Sequence, residues 1–450
     1  MKYSFLFYFL FFFIKYISAD FNQEVFINEV NKILNGKKYK DVDVSISINK
    51  IHPKKKFLYE KNSDLQMIPA SVKKLLLSMM IIRSYPTNKI FKTEIKYSGF
   101  IENEILNGDL YIIGKGDPIL EVEGFKPLFN QLKNLKIKKI NGSVHYCDDY
   151  FSDKNIENEQ ISYYYAPASS LNCNFNIATL FIDKPFSEPN TSFIKIKKEE
   201  TKDGVRQIKR IKRNSNDEYL ISNISYGQVK VAVSRPGLWT ATLLREGLEK
   251  NGISVLNSTI KRKDQQKPLK SFITLESKNI DYVLQKMNKD SDNMIAKTLT
   301  YHLQKKYPHQ DIMQSILKIS NKNMKEFSGL SSLKELSAKE ISKILVQFKK
   351  NFKDFKRLLS VLEKQSFQNF QKVPRPPEDY IAYIKTGTLS QKGVNNIALY
   401  LMNKTNQDLF TIVILCDKKN NRKKKYQGQL VNPILEVIFK SFVFDSPNRK

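Results

Sequence analysis

The alternation of apolar and polar residues predicts an ordered region between residues 20 and 90. Val25 to Leu34 has helical periodicity, whereas Val42 to Ile48 alternates with a period of two and predicts a half-buried strand. Lys56 to Tyr59 is expected to pair with that strand as a hairpin. An apolar run then predicts a buried helix from Ser71 to about Arg83, which ends near Pro86.

The pattern changes between residues 91 and 269, where short β-like runs alternate with turns. Strands are predicted at Thr93 to Tyr97, Asp109 to Ile113, Gly142 to Tyr146, Ser192 to Ile196, Tyr219 to Ser222 and Gln228 to Val233. Helical periodicity is strongest at Leu120 to Lys133 and Thr240 to Asn251. We therefore predict a large β-rich insertion over residues 91–269.

Helical patterning returns after residue 270 and then gives way to strands. Helices are predicted at Asn279 to Lys286, Met294 to Lys305, Asp311 to Ile319, Ser337 to Phe348 and Leu430 to Phe444. Strands are predicted at Tyr380 to Lys385, Asn396 to Met402 and Leu409 to Leu415. Together with the two N-terminal strands they would form a five-stranded antiparallel sheet. The predicted fold is mixed α/β (α+β), with this sheet and a helical lobe built from residues 20–90 and 270–450.

Ser71, at the start of the buried helix, carries the first chemical signal. Pro69 suits the first turn of a helix, so Ser71 is expected at the N-terminus, where free N–H groups favour a developing anion. Lys74 lies three residues later on the same face, whereas Lys73 points elsewhere. A hydroxyl beside a buried amine is a nucleophile beside its base, and we interpret Ser71 as an active-site serine.

The spacing of Ser71 and Lys74 is weak evidence by itself, because it recurs elsewhere in this lysine-rich chain, as at Ser315 and Lys318. Two motifs further along the chain strengthen it. Ser291-Asp292-Asn293 lies between two helical segments and also suits the N-cap of a helix beginning at Met294. Lys385-Thr386-Gly387 occurs once, and a strand-borne lysine beside a glycine suits a substrate carboxylate bound along a strand edge.

The ordered set of these three motifs resembles the penicillin-recognising serine hydrolases. Pro69-Ala70-Ser71, Lys289 to Ala296 and Lys385 to Leu389 narrow the resemblance to the D-alanyl-D-alanine carboxypeptidase/endopeptidase family, the class C low-molecular-mass penicillin-binding proteins. That family also carries a large insertion between its first two motifs. The resemblance therefore implies a β-lactamase/transpeptidase-like domain interrupted by the 91–269 insertion.

The resemblance extends to other strings but includes departures. Gly114 to Pro118, Tyr165 to Ala168 and Ser328 to Ser331 look like the family. Glu326-Phe327, however, replaces the expected Asp-Gly, and Leu359 to Lys372 lacks the usual glycines. These changes spare the chemical motifs and suggest an altered cleft shape and substrate preference.

The resemblance implies acyl transfer at the D-Ala-D-Ala end of peptidoglycan stem peptides. Ser71 would attack the penultimate carbonyl, Lys74 would take its proton, and Ser291 would relay a proton to the leaving amine. The backbone N–H groups of Ser71 and Thr388 would form the oxyanion hole. The substrate would be held by a set of residues from the second and third motifs: Asn293, Lys385, Thr386, Gly387 and Thr388. β-Lactams would trap the acyl-enzyme, and neither a cofactor nor a metal is implied.

Other functions stay open from the sequence. A β-lactamase or related esterase would share the motifs and differ in rapid turnover of the β-lactam acyl-enzyme. A DD-endopeptidase activity, cutting cross-links, can coexist with carboxypeptidase activity. A non-catalytic binding or scaffold protein would be indifferent to Ser71→Ala, and the intact motifs argue against it.

Residues 1–19 have the pattern of a signal peptide, which predicts export to the periplasm or cell envelope. Lys2 supplies a positive charge, and Phe5 to Ile14 is an apolar run too short to span a bilayer. Ala19 provides a small residue at a cleavage site before Asp20. Lys15 interrupts the segment, so an uncleaved anchor is the alternative.

The net charge of +30 could indicate a nucleic-acid partner, but the lysines are spread evenly and the export signal argues against one. The dense run Arg422 to Lys425 is expected to be a solvated loop, with contact to anionic membrane or cell-wall polymer as the alternative. Cys147 and Cys173 could pair or stay free, and Cys416 is expected to be a buried thiol. No spacing of cysteine or histidine predicts a metal site.

Overall fold

The structure, a computed structural model, describes residues 23–151, 160–212, 216–261, 268–308, 310–318, 324, 326–369, 373–419 and 430–442. The predicted signal peptide and the basic run at 422–425 lie outside these residues. The helices are α1 (Gln23–Leu34), α2 (Lys73–Ser84), α3 (Lys126–Asn134), α4 (Pro236–Lys250), α5 (Ile280–Asp290), α6 (Asn293–Lys306), α7 (Ile312–Leu317), α8 (Ala338–Phe348), α9 (Phe352–Val361) and α10 (Val431–Ser441). The strands are β1 (Val42–His52), β2 (Lys56–Lys61), β3 (Lys92–Tyr97), β4 (Phe100–Glu102), β5 (Ile105–Asn107), β6 (Leu110–Gly114), β7 (Lys139–Ile140), β8 (Val144–Cys147), β9 (Ile177–Phe181), β10 (Phe186–Glu188), β11 (Ile194–Glu199), β12 (Gln207–Lys212), β13 (Asp217–Ser222), β14 (Gln228–Ala232), β15 (Ser254–Val255), β16 (Ile260–Lys261), β17 (Lys270–Glu276), β18 (Glu363–Ser366), β19 (Tyr380–Leu389), β20 (Val394–Asn403) and β21 (Leu409–Lys418).

A six-stranded antiparallel sheet with the order β18-β19-β20-β21-β1-β2 organises the molecule. Five of these strands are the predicted ones. The sixth, β18, extends the predicted five-stranded sheet, and its sequence Glu-Lys-Gln-Ser has no apolar alternation that could predict a strand. Strand β1 lies near the N-terminal end of the described chain and β21 near its C-terminal end. Because they pair, the two ends of the chain meet inside the sheet.

Both faces of this sheet are covered by helices. Ile412 and Ile414 of β21 belong to a core shared with α1 and α10, whereas Val413 and Leu415 belong to the core of the helical lobe. Adjacent strand residues point to opposite faces, so a strand buried on both sides has a nearly continuous apolar sequence. The helical lobe is centred on α2, whose residues from Lys73 to Ile82 are all buried.

The region between residues 91 and 276 forms four smaller sheets. Their strand orders are β10-β9-β14, β11-β13-β12, β15-β7-β5-β4 and β16-β8-β6-β3-β17. They surround a separate apolar core that includes Trp239 and Tyr219. The β-rich character predicted for this region is confirmed, as are the helices at α3 and α4.

Some local features differ from the sequence prediction. Ser71 lies in a short 3₁₀ turn (Ala70–Val72) that precedes α2, not in the α-helix itself. Helix α9 was not predicted, although its buried residues Phe355, Leu358 and Val361 recur every three positions on one face. No disulfide joins Cys147, Cys173 and Cys416, and Cys416 is buried as expected. Over the described residues, no helix has the length and apolar character needed to cross a membrane.

Candidate active site

The segment that carries Ser71 is fixed by side chains from the end of the central sheet. The Ile68 N–H donates to Asp417 Oδ2 at 2.9 Å, and Asn396 Nδ2 donates to the Ile68 carbonyl at 2.7 Å. Asn396 is itself held, because its Oδ1 accepts from the Cys416 N–H at 3.0 Å. The position of the nucleophile is therefore set by strands β20 and β21.

Two glycines let the backbone of other segments approach Ser71 closely. A Cβ added at Gly329 would lie 2.5 Å from the Ser71 nitrogen and 2.4 Å from the Ala70 carbonyl carbon. A Cβ at Gly387 would lie 2.9 Å from the Pro69 oxygen and 3.1 Å from the Ser71 nitrogen. Gly329 also has a φ of +87°, which side-chain-bearing residues rarely adopt. Both positions thus require glycine for the nucleophile to sit against β19 and the 328–330 loop.

Lys74 is fully buried, and its Nζ lies 2.9 Å from Ser71 Oγ. Nζ also donates to Asn293 Oδ1 at 2.6 Å and to the Ser328 carbonyl at 2.5 Å. Burial lowers the pKa of Lys74 well below the ordinary lysine value, and the nearby charge of Lys385 lowers it further. The site therefore favours a neutral amine at Lys74.

The second motif occupies the tight junction between α5 and α6. Ser291 has left-handed backbone angles (φ 53°, ψ 37°) and ends α5. Asp292 caps α6 by accepting from the Ile295 N–H at 2.7 Å, which confirms the N-capping predicted for this motif. Asn293 is consequently the first residue of α6, and its side chain reaches Lys74 and donates to the Tyr164 carbonyl at 2.9 Å.

The third motif lies on β19 and meets the second through Lys385. Lys385 is only 2% exposed, and its Nζ donates to Ser291 Oγ at 3.1 Å and to the Thr386 carbonyl at 3.0 Å. Thr386 is half-buried and Thr388 is exposed. The predicted site residues therefore form two bonded groups, Ser71 with Lys74 and Asn293, and Ser291 with Lys385, whereas the side chains of Thr386 and Thr388 bond to neither group.

The edge of β19 beside the site is open. Strand β18 pairs with β19 only from residue 381 to residue 384. From Lys385 to Leu389, β19 pairs with β20 alone among the described strands. An extended peptide could therefore add to this edge in line with β18, through the backbone groups around Gly387 and Thr388.

Sequence reasoning missed the contacts that position Lys74. The Ser328 carbonyl gave no signal as a partner, because a backbone acceptor is not specified by residue type. Its loop is held by Glu326, whose Oε1 accepts from the Ser328 N–H. Glu326 also forms an ion pair with buried Lys73 at 3.5 Å, and Glu335 forms a second at 2.9 Å. The residue that departs from the family pattern thus connects the active-site loop to the start of α2.

Comparison with known proteins shows which fold and family the chain shares. The structure is similar to that of penicillin-binding protein 4 from Haemophilus influenzae, with a TM-score of 0.74 and 20% identity over 92% of this chain and 98% of that chain. A complex of the H. influenzae protein with a β-lactam matches with a TM-score of 0.71 and 21% identity over 93% of this chain and 98% of that one. A predatory peptidoglycan endopeptidase from Bdellovibrio bacteriovorus matches with a TM-score of 0.50 and 15% identity over 86% and 89% of the two chains. A model of the D-Ala-D-Ala carboxypeptidase 3 (S13) family matches residues 28–433. The chain therefore belongs to the D-Ala-D-Ala carboxypeptidase 3 (S13) family.

Proposed function

We propose that this chain performs the reaction of its family, hydrolysis at the D-Ala-D-Ala end of peptidoglycan stem peptides, through an acyl-enzyme on Ser71. As a family member it is a serine-type D-Ala-D-Ala carboxypeptidase. The observation that carries the residue assignment is the contact of Ser71 Oγ with Nζ of the fully buried Lys74, 2.9 Å away. A serine hydroxyl becomes an effective nucleophile when a neighbouring base can remove its proton.

The surroundings of Lys74 support its role as that base. A neutral amine has two N–H donors and one lone pair. The two carbonyl oxygens, Asn293 Oδ1 and Ser328 O, can only accept, so they engage both N–H groups. The lone pair then points to the third neighbour, Ser71 Oγ, whose O–H can donate to it. The proton of the hydroxyl thus has a defined acceptor when Oγ attacks the substrate carbonyl carbon.

The two bonded groups divide the proton transfers of acylation. As the bond from Ser71 Oγ to the carbonyl carbon forms, Lys74 takes the hydroxyl proton. As the C–N bond to the terminal D-alanine breaks, the proton held by Lys74 passes to the leaving amine through the Ser291 hydroxyl, which gives one proton and takes one. Lys385, bonded to Ser291 Oγ, orients that hydroxyl. Water then hydrolyses the ester, and Ser71 recovers its proton. A β-lactam would also form an ester with Ser71 Oγ. Because that ester occupies the nucleophile, β-lactams are expected to inhibit the enzyme.

Substrate binding is assigned to the open edge of β19. The oxyanion would be held by the backbone N–H groups of Ser71 and Thr388, since Gly387 brings β19 to within contact of the Ser71 nitrogen. The terminal carboxylate would bind Lys385 together with Thr386 and Thr388. A stem peptide that adds to this edge as a strand would place its terminal carboxylate beside these three side chains.

We further infer that the chain acts outside the cytoplasm, in the periplasm or cell envelope. The signal-like pattern of residues 1–19 supports export. The substrate class supports it as well, because peptidoglycan cross-links are made and cut outside the cytoplasmic membrane.

Labelling with a fluorescent penicillin tests the acyl-enzyme. The wild type should retain label through denaturing electrophoresis, and Ser71→Ala should not. Ser315→Ala is the matched control, because Ser315 also precedes a lysine by three residues but lies on α7. A folded wild type that takes no label, or a Ser71→Ala variant that still does, would contradict the assignment.

Product analysis then separates the remaining functions. Release of D-alanine from a pentapeptide would establish carboxypeptidase activity, and cleavage of a cross-linked dimer would add endopeptidase activity. Rapid loss of the penicillin label without activity on either peptide would instead indicate a β-lactamase.

A further inference from the structure

Two exposed loops at one end of the central sheet have similar sequences. The turn Pro53-Lys54-Lys55 leads into Lys56-Phe57 at the start of β2, and the connection Lys349-Lys350-Asn351 leads from α8 into Phe352-Lys353 at the start of α9. Each loop places lysines beside one exposed phenylalanine. Phe57 is 53% exposed, and Phe352 is 73% exposed.

The two loops are neighbours on one surface. Lys349 Nζ lies 3.1 Å from His52 Nδ1, which joins the α8–α9 connection to the end of β1. Asn49 of β1 donates to Ser342 Oγ of α8 at 2.9 Å, so Asn49 faces the side of the sheet that α8 covers. Phe57 is the antiparallel partner of Asn49, and directly opposed residues point to the same face. Phe57 therefore lies on the same side as α8 and its following loop.

We call this surface the lysine–phenylalanine patch and define it by its exposed members: Lys54, Lys55, Phe57, Lys350, Phe352 and Lys353. Two acidic residues near the patch pair with cations outside it. Asp408 pairs with Lys50 at 2.8 Å, and Asp354 lies 3.9 Å from Arg83. Within the described part of the chain, no carboxylate forms an ion pair with a lysine of the patch. The patch thus combines uncompensated positive charge with apolar side chains that the core does not cover.

We propose that the lysine–phenylalanine patch docks on the surface of a bilayer that contains anionic lipid. Lysine ammonium groups are attracted to anionic headgroups, and phenylalanine side chains enter the boundary between headgroups and acyl chains. An anionic wall polymer would engage the lysines but would give two exposed phenylalanines no apolar phase to enter. The combination of both residue types in both loops therefore favours a membrane over a polymer.

The location of the patch gives docking a defined geometry. The pairing across the sheet locates the patch. His52 of β1 is opposite Leu409 of β21, which is opposite Met402 of β20. The next residue of β20, Asn403, is opposite Tyr380, so the patch lies at the Tyr380 end of β19. Gly387 is at the other end of the strand, and the seven intervening steps of an extended chain span about 24 Å. A docked molecule would hold its active site roughly that far from the patch. Docking and catalysis are consequently separable.

Vesicle binding tests the proposal with the chain from Asp20 onward, which contains every described residue. The wild type should sediment with vesicles of equal parts phosphatidylglycerol and phosphatidylcholine but not with phosphatidylcholine alone. Replacing the four patch lysines by serine should weaken binding at least about ten-fold. Replacing both patch phenylalanines by serine should also weaken binding, because the apolar contribution is lost.

Control variants remove the same number of lysines, and one exposed aromatic side chain, elsewhere on the surface. Serine at Lys195, Lys202, Lys230 and Lys278 removes four exposed lysines, and Tyr226→Ser removes an aromatic side chain that is 79% exposed. These controls should bind like the wild type, and all variants should retain penicillin labelling, which shows that they are folded. If the quadruple serine variant fails to label, the single reversals Lys54→Glu and Lys353→Glu replace it.

Three results would overturn the proposal. Unchanged binding of the patch variants would show that the patch is not the docking surface. An equal loss of vesicle binding in the control variant would show that binding depends on the overall positive charge and not on the patch. Loss with the lysine variant but not with the phenylalanine variant would show that the phenylalanines do not enter the bilayer, which removes the ground for preferring a membrane over an anionic polymer.

Discussion

Lys73 and Lys74 are consecutive, chemically identical and almost completely buried, yet the structure predicts opposite consequences of replacing them. Lys73 pairs with the carboxylates of Glu335 and Glu326, whereas Lys74 contacts Ser71 Oγ and two neutral carbonyl oxygens. Methionine has similar length and volume without the charge, so it is the substitution of choice at both positions. We expect Lys73→Met to damage stability and Lys74→Met to damage catalysis.

The stability cost of Lys73→Met follows from the charges left behind. Breaking a buried ion pair by removing one partner costs about 3–5 kcal/mol, because the other charge stays buried. Glu326 and Glu335 keep side-chain exposures of 35% and 18%, so water can partly replace the ammonium. We therefore expect a loss of about 2–3 kcal/mol in the free energy of unfolding, somewhat below that range. Once folded, this variant should still be acylated.

The effect of Lys74→Met should be reversed. Lys74 forms no ion pair among the described residues, and burial already disfavours its charge. Replacing it with an apolar side chain leaves Asn293 Oδ1 and the Ser328 carbonyl without this donor but removes the cost of burying an amine. Because these two contributions oppose each other, the free energy of unfolding should change by no more than about 1 kcal/mol. Acylation should fall by about 10²–10⁴, the usual contribution of a general base.

Urea denaturation and the rate of acylation by a fluorescent penicillin measure the two effects separately. The double variant should show both the loss of stability and the loss of acylation rate. The two effects should be independent, because the two side chains have different partners. Our assignment would be refuted if Lys74→Met destabilised the fold as much as Lys73→Met. It would also be refuted if Lys73→Met stopped acylation in protein that is demonstrably folded.

Two further predictions concern the pKa of Lys74 and the support of Ser71. Acylation needs neutral Lys74, so its rate should rise with pH through the lowered pKa of Lys74. Lys385→Gln removes a charge that lowers this pKa. The acidic limb of the pH–rate profile should therefore move to higher pH in that variant. Asn396→Leu leaves the Ile68 carbonyl and the Cys416 N–H without their side-chain partner. At about 1–3 kcal/mol for each of these two unsatisfied groups, it should lower the free energy of unfolding by about 2–6 kcal/mol, measured by urea denaturation.

Exposed residues provide the controls. Lys392→Gln removes a lysine on the loop after β19 that water screens, so the pH profile should not move. Asn134→Leu, at the exposed end of α3, should change stability by less than about 0.5 kcal/mol. An acidic limb that stays in place in Lys385→Gln, or a destabilisation of Asn396→Leu no larger than its control, would contradict these assignments.

Much of the fold was predictable because its strongest elements have clear periodicity. Strands β1, β20 and β21 and helices α2, α6 and α8 lie where apolar patterns indicated them. β18 was not predicted, since its polar residues form a strand only through pairing with β19. A strand held by a neighbour instead of by its own pattern leaves no trace in the local sequence.

The candidate site shows the same division. The side chains of Ser71, Lys74, Ser291, Asn293 and Lys385 were identifiable because the chemistry constrains their residue types and order. The supports were not, because Ser328 contributes a carbonyl, and Asn396 and Asp417 act on the backbone of Ile68 across the sheet. Such contacts depend on tertiary distances that one sequence does not encode locally.

The anchoring of the Ile68–Ser71 segment by Asn396 and Asp417 has a consequence for biosynthesis. The nucleophile is made early, but the side chains that fix its backbone are among the last to emerge from the ribosome or a translocation channel. Contacts with such large sequence separation form late, because the intervening chain must first be organised. The hydrolase should therefore acquire activity only when synthesis is nearly complete, so that no incomplete chain can act on its substrate.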